Sequence, residues 1–318
     1  IKFKKKLRLI NLNINNLNHS EMIAKMIIKL SKIFEKKKPN LILLYGDTNS
    51  TLAGALTANK HRIPIAHVEG GLRNFDLSIP EDVNRIITDR ISNLIFYSTN
   101  VAKRNLLSEG YGKFPCKLIK TDDLLSDAVY NNLKFAREKS NILERLKLNH
   151  TKLKFILLTI HRDKSLNIKN LPNIFKAINK IAKKNIIIFP AHPNSSKKLK
   201  KQKIQLSDNI FIIPPVNYTD MLKLLDECKY VITDSGGLQR EAYILKKKSL
   251  LILDYTPWEE LVKARCAITS SLETKDILKK NKKLYLIRQN FKGKLYGSGN
   301  GAKKITSEIV KFMKDNNL

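Results

Sequence analysis

The sequence predicts an α/β protein made of two Rossmann-like domains that face each other across a cleft. Short apolar runs alternate with amphipathic segments along most of the chain, several runs end abruptly in polar residues, and the scarce glycines cluster directly after some of those runs. Strands that alternate with helices form parallel sheets, which bind ligands at the carboxyl ends of their strands. The 318 residues exceed what one hydrophobic core usually serves, which favours two domains.

In the first half of the chain, apolar residues recur at helical spacing over 20–37, with Ser20 as a cap residue and Pro39 as a stop. The apolar runs that follow predict strands, and the segments between them predict helices. The predicted elements are strand 40–46, helix 50–60, strand 63–68, helix 81–91, strand 93–97, helix 99–109 and strand 117–119. The charged segment 127–149 predicts a helix that leads into the second domain.

The second half repeats this alternation of strands and helices. Strands are predicted at 154–160, 185–191, 209–215, 229–234 and 249–254, and helices at 168–184, 194–203, 217–227, 237–246 and 257–265. A final helix is predicted over 302–316. The expected domains are therefore 1–140 and 141–301, followed by a closing helical segment, 302–318.

The chain carries 60 Lys and Arg residues against 28 Asp and Glu residues, a formal net charge of +32. Such a charge is typical of proteins that bind nucleic acid or anionic membranes. The lysines, however, are spread over the whole chain with few aromatic residues among them, which indicates a solvated surface rather than a base-stacking one. We expect nonspecific affinity for polyanions at low salt and no specific nucleic acid partner.

The chain contains no GxGxxG and no GxxxxGK[ST] motif, which argues against dinucleotide dehydrogenases and P-loop enzymes. Cys116, Cys228 and Cys266 are too far apart for a metal or thioredoxin-type motif, and a reduced, cytoplasmic protein is expected. No apolar run approaches the roughly 20 residues of a membrane span, so no span is expected.

Acidic residues follow two apolar runs in the first domain. Asp47 comes after the run 41–44, Glu69 comes after the run 63–66, and Glu81 opens a predicted helix. Three carboxylates within 35 positions could exchange protons with a substrate. Arg73 and Arg85, in the same stretch, could hold an anion beside them.

A strand-to-helix turn in the second domain carries Ser235, Gly236 and Gly237. The free amides of a helix start and a serine hydroxyl suit a pyrophosphate group. Glu241 lies one turn further, where a carboxylate could accept hydrogen bonds from ribose hydroxyls. The alternative is an ordinary helix capped by Ser235.

Two histidines, His161 and His192, directly follow apolar runs of the second domain, and Arg162 follows the first of them. A lone histidine is usually structural, but strand ends in this fold face the ligand. The glycine-rich stretch 295–305 is either a second phosphate or sugar contact or a plain loop. The stretch 256–261, with the only Trp, predicts packing and a helix cap.

These motifs together resemble the non-hydrolysing UDP-N-acetylglucosamine 2-epimerase family, in the same order and from about residue 18 to 305. They are GDTNSTLAGAL, AHVEGGLR, PEDVNR, HR, HPN, DSGGLQREA and YGSG. The resemblance implies a glycosyltransferase-B type fold and the interconversion of UDP-N-acetylglucosamine and UDP-N-acetylmannosamine for cell-surface polysaccharide precursors. UDP leaves C1 as a proton leaves C2, and 2-acetamidoglucal is the intermediate. It also implies a homodimer that uses no metal and no other cofactor.

The resemblance also implies roles for individual residues. Asp47, Glu69 and Glu81 match the carboxylates that handle protons at C2, Arg85 matches an anion-binding residue, and His161 matches a catalytic or substrate-contacting histidine. The residues that match the UDP site are His192, Ser235, Gly236, Gly237 and Glu241. His161 and Arg162 match a pair that holds a second UDP-N-acetylglucosamine as an activator.

Several family features are absent or changed. Nothing before Asp47 matches the first strand and the Arg-bearing turn of the family, so the first domain is expected to lack its N-terminal βαβ portion. Asp82 and Ser298 also depart from the usual motifs. The alternatives are a UDP-sugar-binding fragment without turnover, a hydrolysing epimerase or a glycosyltransferase of this fold. A diacetamido-uronic acid analogue is an alternative substrate.

Overall fold

The computed structural model describes residues 8–15, 17–148 and 154–318, which divide into two compact units. Unit 1 comprises the described residues of Ile1–Thr121 together with Ile305–Leu318, and unit 2 comprises those of Asp122–Lys304. The predicted domain boundary at 140/141 therefore lies inside unit 2. The reason is that the helix before it packs against two later helices of unit 2.

Unit 1 is a parallel four-stranded sheet with helices between its strands. Its elements are α1 (His19–Lys37), β1 (Ile42–Tyr45), α2 (Asn49–Lys60), β2 (Ile65–Val68), α3 (Pro80–Arg90), β3 (Leu94–Tyr97), α4 (Asn100–Ser108) and β4 (Lys117–Lys120). The strand order is β1-β2-β3-β4. Each predicted strand and helix of this region is present, within a few residues of its predicted ends.

Unit 2 is a parallel six-stranded sheet. Its helices are α5 (Leu124–Lys139), α6 (Ile142–Arg145), α7 (Asp163–Leu166), α8 (Asn170–Ala182), α9 (Pro193–Lys201), α10 (Tyr218–Glu227), α11 (Gly236–Ile244), α12 (Glu259–Lys263) and α13 (Thr274–Leu286), and α14 (Gly301–Asp315) begins at its end. Its strands are β5 (Ile156–Thr159), β6 (Ile187–Pro190), β7 (Ile210–Ile213), β8 (Tyr230–Thr233), β9 (Ser249–Leu251) and β10 (Ala267–Thr269).

The strand order of unit 2 is β10-β9-β8-β5-β6-β7, so the chain changes direction across the sheet between β5 and β8. A sheet of this kind binds ligands at such a switch point, outside the carboxyl ends of its strands. Both faces of the sheet are covered. Ile156 and Leu158 join the core under α8 and α13, whereas Leu157 joins the core under α10 and α11. This alternation fits continuous apolar strands buried on both faces.

The structure differs from the predicted elements in a few places, and it contains the one-turn helix α7, which was not predicted. The helix predicted over 127–149 begins at Leu124 after its cap residue Asp123 and ends at Lys139, and residue 149 lies outside the described residues. Strand β10 and helix α13 were not predicted. Strand β10 has only three residues, and few apolar side chains of α13 are buried, among them Ile277 and Leu284, so neither gives a strong periodic signal.

Candidate active site

Asp47 and Glu69 lie on neighbouring turns of unit 1, at the carboxyl ends of β1 and β2. The register of the two strands pairs Tyr45 with Val68, so both turns leave the sheet at the same edge. A Cβ built on Gly46 would lie 3.7 Å from Glu69 Oε2, which places the Glu69 carboxylate against the turn that carries Asp47. Strand pairing therefore brings two of the three expected carboxylates, Asp47 and Glu69, to neighbouring turns.

Arg85 and Asn84, on helix α3, hold the Asp47 turn in place. Arg85 Nη2 donates to Asp47 Oδ2 in an ion pair, although the Arg85 side chain is almost fully buried. Asn84 Nδ2 donates to the backbone oxygen of Asp47 at 2.9 Å and to Asn49 Oδ1 at 3.2 Å. The Asp47 side chain keeps 27% of its surface exposed and so remains accessible to a ligand.

Asp82 organises the loop between β2 and α3. Its fully buried carboxylate accepts from the amide of Asn74 at 3.0 Å, from the amide of Asp76 at 3.3 Å and from Arg85 Nη1 at 3.1 Å. An aspartate at this point thus fixes both the loop backbone and the guanidinium that pairs with Asp47. Sequence reasoning noted Asp82 only as a departure from the family motif and did not find this role.

The remaining two residues of the predicted group are Glu81 and Arg73. Glu81 is exposed on the first turn of α3. Arg73 is buried, donates to Asp89 at 2.8 Å and to Glu109 at 2.7 Å, and these carboxylates raise its pKa although burial by itself would lower it. Arg73 therefore serves the core, and its predicted part in holding an anion was wrong.

In unit 2, Asp234 joins the ends of β5 and β8 at the switch point. It is fully buried, and its carboxylate accepts from the amides of His161 and Arg162 at 3.1 Å and 2.9 Å and lies 3.1 Å from His161 Nδ1. Burial would raise the pKa of Asp234, but the hydrogen bonds from His161, Arg162 and Ser165 outweigh it and lower the pKa. Because Nδ1 of His161 donates to Asp234, Nε2 is the ring nitrogen left for a ligand.

The start of helix α11 combines free amides with a guanidinium. Gly236 and Gly237 are the first two residues of the helix, where amides have no intrahelical acceptor. A Cβ on Gly236 would lie 3.7 Å from Arg162 Nη2 and 2.7 Å from ring atoms of Trp258, which is buried beside it. Ser235 also caps the helix, since its Oγ accepts from the amide of Leu238 at 3.3 Å. The Ser235 cap and the helix-start amides thus lie on one turn.

Trp258 was predicted to pack, and the structure confirms this prediction. Its ring lies against Gly236, and the guanidinium of Arg240 stacks on it with 4.5 Å between Cζ and the ring centroid. Arg240 in turn donates to Asp123 at 2.6 Å. The ring therefore forms part of the wall behind the α11 turn, a role that its sequence position alone did not indicate.

Glu241 lies further along α11, beside Tyr218. Burial raises the pKa of Glu241, against the opposing effects of a hydrogen bond to Tyr218 and the charge of Arg240. His192 is exposed and caps α9, because its Nδ1 accepts from the amide of Asn194 at 3.2 Å. Its strand, β6, is the neighbour of β5 on the side away from β8.

The glycine-rich turn before α14 uses its amides within the protein. Gly301 and Ala302 donate to the two oxygens of Asp127, at 2.9 Å and 2.8 Å, and Ser298 donates to Asp122 at 2.8 Å. Two carboxylates of the chain therefore occupy the place that a phosphate would take. Of the two interpretations given for this stretch, the structure favours the plain loop.

Within the part of the chain that the structure describes, no group of three or more His, Cys, Asp or Glu side chains is arranged to hold a metal ion. No helix formed by those residues is both long and apolar enough to cross a membrane. The three cysteines are free thiols.

The chain is similar to proteins of one family. The family model described as UDP-N-acetylglucosamine 2-epimerase matches residues 2–310. A UDP-N-acetylglucosamine 2-epimerase homolog of Methanococcus maripaludis is 40% identical over 304 residues, or 94% of this chain and 83% of that protein. A UDP-2,3-diacetamido-2,3-dideoxy-D-glucuronate 2-epimerase of Pseudomonas aeruginosa is 34% identical over 305 residues, or 95% and 83%. The crystal structure of the Methanocaldococcus jannaschii UDP-GlcNAc 2-epimerase in complex with UDP-GlcNAc and UDP matches with a TM-score of 0.86 at 35% identity, covering 95% of this chain and 84% of that one.

Proposed function

The chain belongs to the UDP-N-acetylglucosamine 2-epimerase family, and we propose that it interconverts UDP-N-acetylglucosamine and UDP-N-acetylmannosamine by removing UDP and adding it back. In the first step the C2–H bond breaks, its electron pair forms the C1–C2 double bond, and the C1–O bond breaks with its electrons leaving on UDP. In the second step UDP adds again at C1 while a proton is added to the other face of C2. Atoms and charge balance without an external oxidant or reductant.

The observation that carries the proposal is the placement of Asp47 and Glu69 on adjoining turns. Inversion at C2 needs one group that takes a proton from one face and another that returns a proton to the opposite face. The two carboxylates supply such groups, and Arg85 holds one of them through a direct ion pair. Glu81 is the third acid of the proposal. Its support is the family motif and its place one helical turn before Arg85.

The α11 turn of unit 2 is the proposed site for the diphosphate of UDP. The amides of Gly236 and Gly237, the Ser235 hydroxyl and the Arg162 guanidinium converge there. Positive groups at this point stabilise the charge that develops on the leaving UDP. The helix-start amides and the Arg162 guanidinium supply this stabilisation from the chain itself.

Three further residues complete the proposal. His161 presents Nε2 to the substrate because Asp234 holds Nδ1, and together with Arg162 it is the proposed contact for an activating second UDP-sugar. Glu241 is the proposed partner of the ribose hydroxyls, and His192 lies at the end of the next strand as a further UDP contact. The proposal also includes a homodimer, which sedimentation velocity of the purified protein tests.

Proton NMR in D2O tests the proposal directly. The protein is incubated with UDP-N-acetylglucosamine, and we expect deuterium at C2 together with the signals of UDP-N-acetylmannosamine. Glu138→Gln, a change of an exposed carboxylate on α5, is the matched control and should behave as the wild type. Binding without deuterium exchange would instead identify a UDP-sugar-binding protein. Irreversible release of free N-acetylmannosamine would identify a hydrolysing enzyme, and transfer to an acceptor would identify a glycosyltransferase.

A second substrate deserves the same assay. The Pseudomonas aeruginosa relative is named for a UDP-diacetamido-glucuronate, and its identity to this chain, 34%, is close to the 36% of the Methanocaldococcus jannaschii UDP-N-acetylglucosamine 2-epimerase. The reaction at C2 would be the same, and the difference lies at C3 and C6 of the sugar. The ratio of kcat/KM for the two UDP-sugars decides between them.

A further inference from the structure

His67 lies in strand β2 of unit 1, two residues before Glu69, and no part of it is exposed. Its ring has an acceptor at each nitrogen. Nδ1 is 2.7 Å from Asp89 Oδ1, and Nε2 is 2.8 Å from the backbone oxygen of Gly46. Gly46 is the residue directly before Asp47. The His67 ring therefore connects strand β2, which leads to Glu69, with the turn that carries Asp47.

Neither acceptor can donate a proton to the ring nitrogen that it faces. A backbone carbonyl oxygen only accepts. Asp89 accepts hydrogen bonds from the Arg73 guanidinium and from the amide of Gly71, which is the environment of a carboxylate. Each ring nitrogen of His67 thus faces an acceptor that offers it no proton, which is the arrangement expected for an imidazole that donates at both nitrogens.

Buried ion pairs beside His67 can balance a positive charge on its ring. Asp89 also accepts from Arg73, and Arg73 pairs with Glu109 at 2.7 Å. The His67 ring and the Arg73 guanidinium thus share two carboxylates, Asp89 and Glu109. A buried ion is tolerated when it is paired and its hydrogen bonds are satisfied, which this group achieves.

Each acceptor of His67 helps to fix the backbone of one of the two turns. Gly46 has a φ of +65°, and the bond from His67 fixes the direction of its carbonyl and hence of the peptide that leads to Asp47. Asp89 accepts from the amide of Gly71 at 3.0 Å, which fixes the turn that begins at Glu69. Glu69 itself has a φ of +74°, a conformation that a residue with a side chain adopts rarely and keeps only when its surroundings hold it.

We propose that His67, with both ring nitrogens donating, is a positioning residue that sets the separation and orientation of Asp47 and Glu69. The positioning role rests on the proposed function of Asp47 and Glu69, whereas the two-donor state of the ring does not depend on it. A core histidine that only fills space would need one donor and would leave turnover unchanged when another polar side chain replaced it.

The first experiment measures the ring directly. The 15N spectrum of the wild-type protein at neutral pH should show both ring nitrogens of His67 at the shift of protonated nitrogens, and His67→Gln identifies the signals by their loss. A nitrogen at the shift of an unprotonated ring atom would overturn the two-donor state. This result is independent of catalysis, so a protein that lacks C2 exchange but shows two protonated nitrogens refutes the proposed function alone.

The second experiment compares His67→Gln and His67→Asn, whose side-chain amides each replace one of the two N–H donors of the ring. The Gln amide can reach the position of Nε2 and keep the bond to Gly46, whereas the Asn amide can reach the position of Nδ1 and keep the bond to Asp89. We expect kcat for C2 exchange to fall in both variants with KM little changed, and to fall further in His67→Asn, by roughly tenfold to a hundredfold. His61→Gln, a histidine of the same unit bonded to Ser31, is the control.

Folded His67→Asn and His67→Gln proteins with the wild-type kcat would overturn the positioning role. If either variant does not fold, the scalar coupling across the hydrogen bond between His67 Nε2 and the Gly46 carbonyl carbon is measured in the wild type. Its presence supports the link to the Asp47 turn, and its absence overturns that link.

Discussion

The backbone amide of Arg162 donates a hydrogen bond to the buried carboxylate of Asp234, with 2.9 Å between nitrogen and oxygen. Arg162 follows β5 and Asp234 follows β8, so this bond joins the two strands at which the sheet of unit 2 changes direction. It also places the Arg162 guanidinium beside Gly236. The proposed diphosphate site is thus held by a carboxylate that never needs to touch the ligand.

Replacing the proton-handling carboxylates should abolish exchange at C2 without abolishing UDP binding. We expect Asp47→Asn and Glu69→Gln to lower the exchange rate by roughly 10²–10⁴-fold, the range over which a positioned acid or base contributes. UDP affinity, measured by calorimetry, should remain, because the proposed UDP contacts lie in unit 2. Wild-type exchange in either variant would refute the role assigned to that residue.

Removing the Arg162 guanidinium should weaken UDP binding. A hydrogen bond to a charged group contributes about 1.5–3 kcal/mol, so Arg162→Ala should raise Kd for UDP by roughly tenfold to a hundredfold. Arg104→Ala, on the exposed side of α4, is the matched control and should bind UDP as the wild type does. Titration calorimetry checks both, and equal affinity of all three proteins would contradict the assignment.

Two adjacent glycines of α11 should respond differently to alanine. A Cβ at Gly236 would lie 2.7 Å from the buried Trp258 ring, so Gly236→Ala should cost about 1–3 kcal/mol of unfolding free energy. A Cβ at Gly237 would meet nothing closer than Ser235 Oγ at 4.0 Å, and alanine is the better helix former, so Gly237→Ala should be neutral or stabilising. Urea denaturation of the two variants measures their unfolding free energies. Similar losses of unfolding free energy in both would show that the Trp258 contact is unimportant.

Asp234 should stabilise the fold at neutral pH and lose this effect in acid. Its folded-state pKa is lowered, so its contribution is complete above the ordinary carboxyl pKa of about 3.9 and disappears as the pH falls through the folded value. Asp234→Asn should therefore cost about 1–3 kcal/mol near neutrality and progressively less in acid. Urea denaturation of both proteins over a pH series measures this difference, and a constant difference would contradict the argument.

The contribution of Glu241 to stability should change with pH in the opposite direction to that of Asp234. Burial raises its folded-state pKa, so its stabilising contribution is complete below the ordinary glutamate pKa of about 4.3 and is lost as the pH rises through the folded value. At neutral pH the buried charge is then a cost, and Glu241→Gln should be at least as stable as the wild type while binding UDP more weakly. Thermal unfolding and calorimetry test the two halves of this prediction. A large loss of stability near neutrality would contradict the first.

Much of the fold follows from local patterns. The nine strands β1 to β9 were predicted because each is a short apolar run that ends in polar or turn residues, and parallel pairing then brings Asp47 and Glu69 to one edge. Strand β10 has only three residues, and helix α13 packs on α8, which is distant in sequence, so neither has such a pattern.

The division of labour among the arginines could not be predicted in this way. Arg73 and Arg85 lie 12 positions apart in the same motif-rich stretch, and both could have held an anion. Only the packing of α3 and α4 shows that Arg73 is paired with Asp89 and Glu109, whereas Arg85 pairs with Asp47. The two hydrogen bonds of the His67 ring could not be predicted for the same reason, because nothing in its neighbourhood along the chain indicates an acceptor at each ring nitrogen.

The sequence by itself determined which residues end strands and begin helices, and through its motifs it determined the family. The tertiary structure alone decided which glycine-rich helix start has its amides taken by a carboxylate of the chain. The turns before α11 and α14 look alike as sequence, but Asp127 lies against the amides of Gly301 and Ala302 although it precedes Gly301 by 174 positions. Free amides bind anions only where no carboxylate of the chain already accepts from them, and that depends on partners remote in sequence.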